Sequence, residues 1–206
     1  MKVVVPGESL KQALRWSRRI LFTGAVLTLG YCGFVLLDAW IFEQRETRNL
    51  ERTLRDPSVR ADAPLPAIAA DGLIGRIEIP RVGLSAVLVE GTGRSALRRA
   101  AGHIEGTAVP GQPGNIGIAA HRDTFFRPLR NVRLNDIVTL TTLRGKYDYR
   151  VVSTRVVSPT EVSVLNPSDE EILTLVSCYP FYFVGPAPNR FIVRAERVTE
   201  RTPSVN

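Results

Sequence analysis

The sequence predicts an all-β domain, a closed or nearly closed barrel of about seven or eight strands, carried behind an N-terminal transmembrane helix. Three observations support this reading. From Gly75 onward, short β-branched runs alternate with Gly and Pro punctuation. Only Arg94 to Ala101 reads as a helix in that region, and no repeat of solenoid or propeller length is visible. Upstream, Ile20 to Leu37 is an uncharged stretch of 18 residues, and its apolar character continues beyond Asp38 through Ala39, Trp40, Ile41 and Phe42.

Residues 20–42 are long enough to span a bilayer. They exceed the apolar core of a cleavable signal peptide, and no small-x-small cleavage site follows. Tyr31 stands before Cys32 where a lipoprotein site requires a small residue. An uncleaved signal anchor is therefore expected. Arg15, Arg18 and Arg19 abut its N-terminal end, which makes residues 1–19 a cytoplasmic basic segment, and a long C-terminal domain translocates largely regardless of its charge. Asp38 falls near the outer end of the span, where a carboxylate reaches the interface cheaply.

Residues 43–70 then form a stalk and linker. Up to Arg55 acid and base are interspersed as on a solvated helix, and Pro57, Pro64 and Pro66 stop helices and stiffen the chain. The folded domain is expected over 71–206. Its strands are read as Ile74 to Ile79, Leu84 to Glu90, Asn115 to Ala120, Ile137 to Leu143, Tyr147 to Val157, Ile172 to Ser177 and Phe191 to Arg197, with Pro80 to Gly83 turning between the first two.

The chain has 206 residues, which is room for one ordinary domain and an appendage. Its net charge of +7 does not gather into one patch. Residues 1–19 hold +4 of it, the stalk is balanced, and the final 144 residues carry only +4. Nucleic acid is accordingly not an expected partner. Cys32 lies in the apolar run and Cys178 far downstream, so the two are not expected to pair, and Cys178 is a lone thiol in the folded domain. One such Cys and two His, without close ligand spacing, make no zinc site, and no metal or cofactor is expected.

Three residues sit at strand ends: His121 after Asn115 to Ala120, Cys178 after Ile172 to Ser177, and Arg190 just before Phe191. Strand ends can gather residues distant in sequence. An imidazole can deprotonate a thiol, and a guanidinium can brace the oxyanion formed when a thiolate attacks a carbonyl. These are the minimum parts for acyl transfer, although spacing alone does not distinguish them from a buried thiol, a hydrogen-bonded His and a surface Arg.

The wording around them does. Thr174-Leu175-Val176-Ser177-Cys178-Tyr179-Pro180-Phe181 resembles the sortase signature Thr-Leu-x-Thr-Cys, with Ser177 where Thr is usual. Gly114 to Phe126, containing His121-Arg122-Asp123-Thr124-Phe125-Phe126, is similar to the family's catalytic-His strand and loop, and Pro188 to Ala195 is similar to its catalytic-Arg strand. The His-Arg-Asp-Thr-Phe-Phe wording most resembles class D sortases.

That resemblance implies an eight-stranded sortase barrel with one or two short helices. It implies a cysteine transpeptidase that cleaves a Leu-Pro-x-Thr-like sorting signal after Thr, forms a thioacyl intermediate on Cys178 and passes the acyl group to an amine. His121 would act as general acid and base, and Arg190 would hold substrate or oxyanion. The implied partners are a surface protein with a C-terminal sorting signal and an amine acceptor in the cell envelope. The implied location is the cell membrane, single-pass, with the catalytic domain outside.

Three further residues are supporting candidates. His103 matches a family segment but suits a structural hydrogen-bonding role better. Asp123 orients His121 or pairs with Arg122. Ser177 adjoins Cys178 and could touch substrate. Phe125, Phe126, Tyr179, Phe181, Tyr182 and Phe183 read chiefly as core or rim packing. The competing readings are a membrane-tethered thiol hydrolase and a non-catalytic cell-surface binding module with Cys178 buried.

Overall fold

The structure, a computed structural model, describes residues 7–55, 68, 72–182 and 185–198. It divides into two compact units, Met1–Phe42 and Glu43–Asn206. One helix, α1, covers Gly7–Arg55. Within it Leu21, Phe22, Leu29 and Phe34 are all at least two-thirds exposed. Among the described residues no helix is long and apolar enough to cross a membrane. Val35, Leu36, Ala39, Trp40 and Phe42, which belong to the span expected over 20–42, lie outside the residues whose side chains are described. The Pro57, Pro64 and Pro66 linker also lies outside the described residues.

The second unit contains a closed barrel of strand order β1-β2-β3-β4-β7-β8-β6-β5. The strands are β1 (Leu73–Ile79), β2 (Leu84–Glu90), β3 (Ala101–His103), β4 (Gly114–Ala120), β5 (Ile137–Thr142), β6 (Gly145–Val157), β7 (Glu171–Tyr179) and β8 (Asn189–Arg197). The expected fold class is thus found, with a short helix, α2 (Arg94–Leu97), between β2 and β3. Pro80–Val82 forms a 3-10 turn closed by Gly83 at φ 69°, a left-handed conformation that suits glycine.

Most strand ends fall within two residues of the sequence-based ranges, and two differences bear on the site. The helix expected over Arg94 to Ala101 ends at Leu97, and Ala101 begins β3, which pairs parallel with β2 and antiparallel with β4. Three residues including Gly102 carry no alternation from which a strand can be read. The second difference concerns β7 and β8, which extend to Tyr179 and back to Asn189, so Cys178 and Arg190 are members of the ladder.

Alternation fills the barrel. Ile77, Ile116, Ile118, Leu140, Leu173, Leu175, Val193 and Ala195 are fully buried in one core. A polar cluster ties the end of the barrel where β7 begins and β8 finishes. The buried Tyr149 hydroxyl donates to Glu171, Gly111 N donates to the same carboxylate oxygen at 3.1 Å, and Arg197 Nε lies 3.4 Å from the other oxygen. Arg197 also stacks over the Tyr147 and Tyr149 rings at 5.1 and 5.6 Å. Burial, followed by the bond to Glu171, pushes the Tyr149 phenol far above its ordinary range, so it serves there as a fixed donor.

Candidate active site

The opposite ends of β4, β7 and β8 carry the sequence-predicted residues. In β7, Leu173 and Leu175 enter the core, so Thr174, Val176 and Cys178 share the outer face. In β8, Val193 and Ala195 enter the core, which puts Arg190 on the outer face as well. Cys178 and Arg190 are direct cross-strand partners. Side chains so paired have Cβ atoms about 4.5–5.5 Å apart. The parallel β4–β7 ladder runs to Ala120 opposite Ser177, and His121 is the next residue along. His121 is exposed, and Cys178 and Arg190 are half-buried. The Arg190 guanidinium donates to Asn189 O at 3.0 Å and to Ala187 O at 3.4 Å, so it is braced against its own loop. Cys178 and Arg190 are therefore paired at one end of β7 and β8, and His121 follows the same end of the neighbouring β4.

The supporting candidates separate from this group. Ser177 is buried, belongs to the opposite face of β7 from Cys178, and donates to Ala120 O at 3.3 Å. Asp123 is exposed and lies 3.6 Å from Arg122 Nε, the second of its two sequence-based readings. His103 is 1% exposed. Its Nδ1 lies 2.7 Å from Glu90 Oε2 and its Nε2 2.8 Å from Ala108 O, so both ring nitrogens are engaged. Thr107 Oγ1 adds a contact to Nε2 at 3.1 Å, donates to Ile104 O and accepts from Gly117 N. Of the aromatics, Phe126 is fully buried, and Tyr179, Phe181 and Phe191 form a ring cluster with centroids 5.3–6.2 Å apart. Tyr182 is 85% exposed, and Phe183 lies outside the described residues.

Two residues that the sequence reading did not single out shape the site. Asn115, on the outer face of β4, is 3% exposed. Its Nδ2 donates to Val164 O and Asn166 O at 3.0 and 3.1 Å, and its Oδ1 accepts from Thr174 Oγ1 at 2.7 Å. It thus fastens the β6–β7 loop, with its 3-10 turn Val162–Leu165, onto the strands that carry His121 and Cys178. Gly117 lets that loop lie close, because a Cβ there would meet Leu165 Cδ2 at 3.0 Å and Ile104 Cδ1 at 3.1 Å. A polar residue amid an apolar strand was the available signal for Asn115. The second residue is Arg122, which is 5% exposed and donates to Pro180 O at 3.0 Å and Gly185 O at 2.8 Å.

A closed barrel with a cysteine, a histidine and an arginine at its strand ends holds the parts that acyl transfer by a thiol requires. The sortase domain family model matches residues 77–198, a span containing all three motifs. Over 198 residues the chain is 30% identical to sortase D of Bacillus subtilis (strain 168), covering 87% of this chain and 96% of that relative. It is 32% identical to sortase A of Listeria monocytogenes over 112 residues, 52% of this chain and 50% of the relative. The solved structure of a Clostridium perfringens sortase D5 transpeptidase matches with a TM-score of 0.67 at 28% identity, over 77% of this chain and 99% of that one. The chain belongs to the sortase family, and it is a cysteine transpeptidase.

Proposed function

We propose that this transpeptidase cleaves a Leu-Pro-x-Thr-like sorting signal and joins the freed carboxyl to an amine, attaching proteins to the cell surface. The Cys178 thiolate attacks the carbonyl carbon of Thr, and the oxyanion that forms is held by Arg190. The C–N bond breaks as His121 protonates the leaving amine, leaving a thioester on Cys178. An incoming amine then attacks the thioester while His121 takes its proton, and Cys178 leaves as thiolate. The observation that carries this reading is the cross-strand pairing of Cys178 with Arg190, one strand away from the end of β4 that leads into His121.

The apolar stretch 20–42 acts as a single-pass signal anchor with residues 1–19 inside, residues 43–70 as stalk, and the barrel of 71–206 outside the membrane. Support comes from the exposed Leu21, Phe22, Leu29 and Phe34 on α1, whose apolar surface is better covered by lipid than by water.

The test offers the purified full-length protein a library of Leu-Pro-x-Thr-x peptides with assorted amines and reads products by mass. The expected result is an acyl adduct on Cys178 that amines resolve, together with alkylation of Cys178 that slows in His121→Ala. Alkylation only on unfolding, with no adduct, would replace this reading with that of a binding module.

A further inference from the structure

We propose that Arg122 is a positioning residue whose guanidinium ties the start of the β7–β8 loop to its middle and so holds Cys178 and Arg190 in the register that thioacyl formation requires. The proposal rests on the roles given above to those two residues. His121 and Arg122 are adjacent, yet the first is exposed and the second buried, so the chain turns one side chain to the site and the other beneath it. The turn itself is fixed, since Thr124 N and Phe126 N both donate to His121 O.

From that anchored position, one terminal nitrogen of Arg122 reaches Pro180 O, two residues after Cys178. The other reaches Gly185 O, five residues before Arg190. A single rigid group therefore grips the loop just after the nucleophile and again before the cation, from a backbone shared with the imidazole. All three reacting groups are tied to one planar fork.

Burying a guanidinium is costly unless its N–H groups are satisfied, and these two carbonyls and the flanking Asp123 carboxylate contribute to that. Asp123 is itself exposed and weakens as a partner in proportion to solvent screening, which leaves the two carbonyl bonds as the directional part. A lysine at this position keeps the charge but cannot span both carbonyls with one planar group.

Arg122→Lys and Arg122→Ala in the full-length protein test this with two readouts. In single-turnover acylation of a Leu-Pro-x-Thr-x peptide, Arg122→Lys should slow thioacyl formation about 10-fold and Arg122→Ala about 100-fold, the scale of a misplaced reacting group, with KM changed far less. By hydrogen exchange, amides of residues 179–189 should exchange faster while the β1–β2 and β5–β6 strands keep their protection. Should the Ala variant not fold, the Lys variant carries the test alone.

Normal acylation in Arg122→Lys beside an active wild type would overturn the clamp and leave the transpeptidase reading intact. So would slow acylation accompanied by loss of protection throughout the barrel, which is a folding defect. A wild type that forms no adduct on Cys178 would instead remove the chemistry on which the proposal rests.

Discussion

The two histidines occupy opposite kinds of surroundings. At His103 both ring nitrogens are engaged, by Glu90 and by Ala108 O, and the residue is closed off from solvent. His121 stands exposed where β4 ends, beside the partnered Cys178 and Arg190. Residue type and strand-end position are the same in both, since β3 terminates at His103. The lesson is that an imidazole whose two nitrogens are already spent on neighbouring elements stabilises the fold, while one presented to solvent at a strand end is the one placed for the proposed proton transfers.

The comparison can be broken most sharply at the thiol and the exposed ring. Cys178→Ala should abolish the acyl adduct altogether, and His121→Ala should slow both acylation and amine transfer by about 1000-fold, within the range for losing a general acid–base. Intact-protein mass and rapid-quench rates measure the two. Near-normal turnover in either variant would erase the distinction between the histidines.

Next in size is Arg190. Arg190→Ala should lower the acylation rate about 100-fold, as for removal of one oxyanion donor. Arg190→Lys should recover only part of this, because charge returns without the planar fork. Full recovery with Lys would show that charge alone is used.

His103→Ala leaves Glu90 and the Ala108 carbonyl without their ring partner, a loss of about 2 kcal/mol. The melting midpoint should drop by several degrees while the folded fraction retains its kcat. A variant that melts like the wild type but has lost turnover would move His103 into the reaction.

The smallest effect concerns Asp136, remote from either ring. The Arg81 guanidinium that donates to both of its oxygens holds this carboxyl below its ordinary range, offsetting the opposite push from burial. A group whose folded-state pKa is depressed contributes stability above its unfolded value near 4 and loses it as pH falls. Asp136→Asn should therefore lower the melting midpoint at neutral pH by a small amount, and the gap from wild type should close below about pH 4. A gap that widened with acid would contradict the Arg81 pairing.

Long strands were readable in the sequence because short β-branched and apolar runs, such as Ile172 to Ser177, are set apart by Gly and Pro. Cys178, His121 and Arg190 were readable because each falls where such a run stops and because the wording around them is that of sortases. What was not readable depends on contacts made by distant segments. The β3 strand is three residues long, with Gly102 at its centre, and exists because β2 and β4 flank it. Asn115 and Arg122 act through backbone carbonyls at Val164, Asn166, Pro180 and Gly185, which leave no trace in residue identity. An Arg beside a His reads as surface charge until its burial is known.

The parallel pairing of β4 with β7 has a consequence for how the enzyme comes into being. These strands are neighbours in space, but β5 and β6 intervene in the chain, so the ladder beside which His121 and Cys178 meet forms only after a long loop has closed. Barrels dominated by such distant pairings fold on the slow side, about milliseconds to seconds. Until that ladder zips, the thiol lacks its imidazole, even where the β7–β8 pairing has already set Arg190 across from it. The proposed pairing of His121 with Cys178 thus depends on completion of the barrel.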